Sequence, residues 1–80
     1  MQAIITFRSI TPAQRGMHVL KNHRLSCDLR RTPSELEDKG CGYCLHIQED
    51  QMDTAILLLK ENRVFFGRAY RRVGQRWESL

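Results

Sequence analysis

Apolar positions along this chain switch between a period of two and a period near 3.6, and each switch marks an element. Residues 3–8, "AIITFR", form a β-branched and aromatic run that ends at a polar turn, the pattern of a buried strand. In "SITPAQRGMHVLKNHR" the spacing lengthens, and Ala13, Met17 and Leu20 recur at helical intervals. Thr11 is placed as an N-cap, Pro12 as the first helical residue and Gln14 as the capping-box partner. Gly16 weakens this helix unless close packing on a sheet requires it.

"LSCDLRR" alternates again, with Leu25, Cys27 and Leu29 on one face, so a second strand is expected with Cys27 inward as a small buried hydrophobe. "TPSELEDKG" repeats the helix-start grammar, with Thr32 as cap, Pro33 first, Glu35 three residues after the cap and Gly40 as terminator. A turn or two of helix there leads into Cys41. "YCLHI" predicts a third strand with Tyr43, Leu45 and Ile47 on one face and Cys44 and His46 on the other. "EDQMDTAILLLKENR" predicts a second helix with an apolar stripe of Met52, Ala55, Ile56 and Leu59. Asp50 and Asp53 lie at its start and Lys60 and Arg63 at its end, as the helix dipole favours. "VFFGRAYRRV" supplies a fourth strand and "GQRWESL" a tail.

The order strand, helix, strand, strand, helix, strand predicts an α+β, ferredoxin-like βαββαβ fold. Its four-stranded antiparallel sheet would carry both helices on one face. One domain is expected over residues 1–74, with a C-terminal tail at 75–80. That fold hosts many unrelated activities, so function has to be argued from particular residues.

Composition narrows the classes. Apolar content of 41% and charged content of 28% are those of a globular domain rather than a disordered chain. No stretch is long and apolar enough for a membrane span, and "MQAIITFRSI" lacks the basic start and long apolar run of a signal peptide. A cytoplasmic location is therefore expected, where neighbouring cysteines are metal-binding, catalytic or buried rather than structurally bridged. The net charge of +4 is concentrated in "RAYRRVGQR", where Arg68, Arg71, Arg72 and Arg76 crowd together. Such a patch suits an acidic partner, or is a solvated strand and tail. Tyr70 and Trp77 accompany it without an RNA-recognition aromatic motif, so nucleic acid is not the expected partner.

The chemistry-bearing stretch is "KGCGYC", residues 39–44. A thioredoxin-type pair opens a helix, whereas this one leads into a strand. If residues 41–44 are extended, Cys41 and Cys44 stand roughly 10 Å apart at Cα, beyond disulfide reach, and only a bend at Gly40 or Gly42 brings them together. Zinc would need Cys27, Cys41, Cys44 and His46 together, and the second cysteine pair of a zinc ribbon is absent. His18 and His23 read as surface residues. The remaining readings are a glycine-rich turn in which cysteine merely fits, or a single reactive thiol. For the second, Gly40 and Gly42 leave the Cys41 sulfur open to approach, and Arg30, Arg31 and Lys39 lie near in sequence to lower its pKa.

The opening "IITF" strand, the "TP" loop, the "CG" pair before the third strand, the "LK" close of the second helix and "FGRAYR" together resemble a known family. These are small bacterial proteins described as putative selenium or sulfur carrier-like, the DUF3343 family. The most specific element is "TPSELEDKGCG", Thr32 to Gly42. This sequence has Ser34 after Pro33, where the family favours arginine, and Glu37, Asp38 and Lys39 before Gly40, where it favours a nearby serine. Arg30 and Arg31 stand close enough to supply the missing positive charge. The resemblance implies a ferredoxin-like fold and a carrier thiol, matched by Cys41 followed by Gly42, that holds sulfur or selenium.

On that reading Cys44 is a resolving thiol or inert, and Thr32, Pro33, Gly40 and Gly42 support the loop. Arg30, Arg31, Arg68, Arg71 and Arg72 dock a protein donor or acceptor. No cofactor and no metal is implied, and neither is a general acid or base, so a carrier is expected rather than an enzyme. The competing class is a non-catalytic ferredoxin-like module that binds a protein or nucleic acid through its basic patch. In either case the edge strand of so small a sheet offers pairing to a second subunit.

Overall fold

The computed structural model describes residues 2–39 and 42–80, with residues 37–39 described for the backbone alone. Strand β1, Gln2–Phe7, is central, with every residue after Gln2 buried and both faces covered. It pairs antiparallel with β3, Tyr43–Gln48, on one side and with β4, Ala69–Val73, on the other. Strand β2, Cys27–Arg31, adds to β3, and β5, Arg76–Ser79, adds to β4. The result is an α+β fold with a five-stranded antiparallel sheet in the order β2-β3-β1-β4-β5.

Helices α1, Ile10–Asn22, and α2, Met52–Glu61, cover one face of the sheet. Ala3, Ile5 and Phe7 of β1 meet Ala13 and Leu20 of α1, Met52, Ala55 and Leu59 of α2, and Leu45 and Ile47 of β3 in the main core. The opposite residues of β1 point to a second, smaller cluster of Ile4, Leu36, Cys44 and Tyr70, with Trp77 packed against it. Alternation thus divides β1 between two cores.

The expected four-stranded sheet is corrected by β5, and the topology is βαββαββ. Residues 76–79, expected as part of a tail, return along β4 through the two-residue turn Gly74–Gln75. Gly74 has φ +60°, the left-handed conformation that a glycine-first hairpin turn requires. The fourth strand is also shorter than expected. Residues 64–68 form a connecting segment, held to β1 by Thr6 N–H to Arg68 O at 2.8 Å and by the Gly67 N–H donating to Thr6 O.

Helix α1 starts earlier than predicted. Ser9 is its N-cap, and Thr11 and Pro12 lie inside the first turn, where a missing proline N–H removes no helical bond. Gly16 faces the sheet. A β-carbon there would lie 3.1 Å from Phe7 Cζ and 3.2 Å from Leu59 Cδ2, so the glycine is what lets α1 approach β1 and α2. Both helices end in a left-handed arginine, Arg24 and Arg63. Leu25 N–H bonds to Leu20 O and Val64 N–H to Leu59 O, the Schellman pattern that satisfies the last carbonyls. The second helix begins with the 3-10 turn Glu49–Gln51 before α2 proper. Among the described residues no helix is long and apolar enough to cross a membrane.

Candidate functional site: the β2–β3 loop and its thiols

The loop between β2 and β3 is closed by Thr32 N–H donating to Gly42 O at 3.2 Å, one step beyond the Arg31 and Tyr43 pair. Its first part is the 3-10 turn Ser34–Lys39, begun by Leu36 N–H to Pro33 O at 2.9 Å, where a short helix was expected. Leu36 anchors the turn in the smaller core beside Ile4, Cys44 and Tyr70. Burying such a side chain contributes about 1.5–3 kcal/mol, enough to hold a short loop against the sheet. Gly40 and Cys41 lie outside the described residues, as do the side chains of Glu37, Asp38 and Lys39. Gly42, which follows Cys41 in the chain, borders β1, with the position of a β-carbon on it 4.0 Å from Arg8 O.

The other two cysteines are core thiols. Cys27 points toward the helices, where its Sγ faces Met17 O at 3.9 Å, as alternation predicted. Burial pushes its pKa up, with Lys21 pulling it down and Asp28 pushing it further up. Cys44 is fully buried on the opposite face, its Sγ donating toward Arg31 O at 3.7 Å. Burial pushes the Cys44 thiol up to about 11, against smaller downward pulls from the Arg30 charge and the Thr32 hydroxyl. That hydroxyl lies beside the thiol but has no hydrogen bond of standard geometry among the described residues. Burial and the raised pKa thus keep the Cys44 thiol protonated at neutral pH and away from solvent.

The residues considered together for zinc are split by the sheet. Cys27 belongs to the helix-side core, whereas Cys44 and its alternate neighbour His46 face the other way. His46 is half-buried, its Nδ1 3.3 Å from Gln2 Oε1. Burial and then Arg30 lower its pKa, with Asp28 opposing.

The arginines grouped by sequence are dispersed by the fold. Arg71 pairs with Glu78 at 3.2 Å and Glu49 at 3.5 Å, because the β4–β5 register sets Arg71 opposite Glu78. Arg72 lies over the Trp77 ring at 5.0 Å, Arg31 over the Tyr43 ring at 5.3 Å, and Arg30 pairs with Asp28 at 3.5 Å. Arg68 is exposed and has no ion pair among the described residues. It shares a cavity of about 610 Å³ with Arg8, Arg15 and Phe65, residues that sequence reasoning did not single out. The one available signal was topological, since the ends of β1 and of the segment before β4 must meet.

A small α+β domain with two buried free thiols and a β2–β3 loop anchored on the sheet is thus the class defined by the geometry. Residues 2–71 match the family model described as "Putative Se/S carrier protein-like", and the chain belongs to that family. The match ends within β4, so β5 is an addition to the matched region. No curated protein and no solved structure matches the chain.

Proposed function

We propose that the protein carries sulfur or selenium on Cys41. The observation that carries this reading is the family membership over residues 2–71, joined to the burial of the other two cysteines. Cys27 and Cys44 are buried and have raised pKa values, so the loop thiol is the candidate. Its thiolate attacks the terminal sulfur of a donor persulfide, forming Cys41-S-SH as the donor's own thiolate leaves. The selenium case is the same exchange at a terminal selenium. An acceptor nucleophile then takes the terminal atom and Cys41 thiolate is the leaving group, so no net oxidation occurs.

In this mechanism Cys41 acts alone. Cys44 belongs to the scaffold, and the hydrogen bond from Thr32 to Gly42, with Pro33 and Leu36, supports the loop from its described side. The alternative of a basic binding module without thiol chemistry has less support, because Arg71 and Arg72 are engaged within the protein's own hairpin.

Intact mass of the reduced protein is the test, after incubation with a cysteine desulfurase and cysteine, and separately with the desulfurase and selenocysteine, which places a terminal selenium on the donor's own cysteine. The expected result is a reducible addition of one sulfur or selenium atom that is lost in Cys41→Ser and kept in Cys44→Ser, with both variants folded by circular dichroism. No adduct under conditions that load an established carrier defeats the proposal.

A further inference from the structure

Phe65 has 84% of its surface exposed, more than any of the other exposed large apolar residues among those described. It sits on the wall between two cavities. One, of about 610 Å³, is lined by Arg8, Arg15 and Arg68 together with Val64 and Phe66. The other, of about 270 Å³, is bounded by the same aromatic segment with Lys60 and Arg63. Among the described residues no acidic residue lines either cavity, and none of the three arginines has an ion pair. An exposed aromatic beside cations that have no ion pair among the described residues is the composition of an interface anchor with a charged surround.

We propose that this surface docks an acidic protein segment bearing an apolar side chain, which rests beside Phe65 while its carboxylates meet Arg8, Arg15 and Arg68. Charge complementarity selects the acidic chemistry. The apolar half, built from Val64, Phe65 and Phe66, favours a polypeptide over a nucleic acid. A phosphodiester backbone is held by cations tracking it, with several stacking aromatics rather than one. The surface also adjoins the candidate site. Arg8 is the residue whose carbonyl borders Gly42, so a segment seated there reaches the end of the β2–β3 loop. In the carrier reading, on which this assignment of the occupant as a donor or acceptor rests, the segment brings a partner to Cys41.

The test is fluorescence anisotropy with a labelled peptide in which one leucine is flanked by glutamates. The wild-type protein is compared with Phe65→Ser, Arg15→Glu and Arg68→Glu. Lys21→Glu at the far end of α1 makes the same charge change outside the surface. Saturable binding is expected to weaken at least ~10-fold in Phe65→Ser and in each arginine variant, to fall with added salt, and to stay unchanged in Lys21→Glu. Equal binding by all variants overturns the proposal. So does tighter binding of an oligothymidylate of matched charge, or sedimentation of the free protein as a dimer that Phe65→Ser dissociates. Loading of Cys41 by inorganic polysulfide, read by mass, needs no docking. Failure to load with peptide binding intact removes the carrier reading and leaves the surface, and the converse removes the surface alone.

Discussion

The Thr6 hydroxyl is doubly bonded to one distant residue: it accepts the Arg68 N–H at 2.9 Å and donates to Arg68 O at 3.2 Å. Thr6 is fully buried, so this polar group is tolerated only because both of its capacities are used. The pairing fixes the segment before β4 against the middle of the sheet, and with it the position from which the Arg68 side chain leaves the surface. Thr6→Val keeps the shape but orphans the Arg68 N–H, and is expected to cost about 1–3 kcal/mol in urea unfolding. Thr6→Ser retains the hydroxyl and is expected to cost less. Amide exchange at Arg68 should quicken in the valine variant alone.

Cys44 predicts an alkaline limit to stability. Its folded pKa of about 11 lies above the ordinary 9.0, so the folded state resists losing the proton that the unfolded chain gives up readily. The stabilisation is complete below pH 9.0 and is lost as pH rises through that value toward about 11. The full loss is roughly 2–3 kcal/mol. The urea midpoint should fall further between pH 8 and pH 10.5 in the wild type than in Cys44→Ala, whose neutral side chain removes this contribution and leaves that of Cys27, also raised by burial. An equal drop in both proteins would show that Cys44 is accessible or already ionised when folded.

Gly16 predicts a packing cost. Valine at this position would place its branches against Phe7 Cζ and Leu59 Cδ2, which already lie 3.1 and 3.2 Å from the first added carbon. Overpacking of this kind costs about 1–3 kcal/mol, more than the gain in helix propensity over glycine of up to about 1 kcal/mol. Thermal unfolding of Gly16→Val should therefore show a lowered midpoint. A raised midpoint would mean that α1 can move off the sheet at little cost.

Legibility of the sequence followed burial. Strand β1 was visible because its β-branched and aromatic run, Ile4 to Phe7, suits a strand covered on both faces, and both helices were visible through their stripes at Ala13, Leu20, Met52, Ala55 and Leu59. Strand β5 was not, because "RWES" offers only Trp77 as an apolar residue, and a Gly-Gln turn is a weaker hairpin signal than Asn-Gly. That omission carried over to the charges. Arg71 and Arg72 read as a free basic patch until the hairpin set them opposite Glu78 and Trp77. The facing of Cys27 and Cys44 followed from alternation, but the burial of Cys44 did not, since it packs with Leu36 and Trp77 from a loop and a strand that no period foretold. Arg8, Arg15 and Phe65 are remote in sequence and meet only because the end of β1, the start of α1 and the approach to β4 share one end of the sheet.

The two left-handed arginines predict a gain. Arg24 and Arg63, at φ 65° and 56°, occupy the positions after the helix caps where glycine is usual. A side chain in that conformation costs roughly 1–2 kcal/mol, whereas glycine adds about 0.5–1 kcal/mol of unfolded-state freedom, so exchange to glycine should leave a small net stabilisation. Arg24→Gly is expected to raise the urea midpoint, and Arg24→Ala, which keeps a β-carbon in the strained conformation, is not. Arg63→Gly should gain similarly in stability yet weaken the acidic peptide, because Arg63 borders the smaller of the two cavities beside Phe65. Opposite signs in those two readouts from one substitution would separate the backbone role of this arginine from its charge. A loss of stability in both glycine variants would show that the arginine side chains, not the Schellman bonds, hold the helix ends.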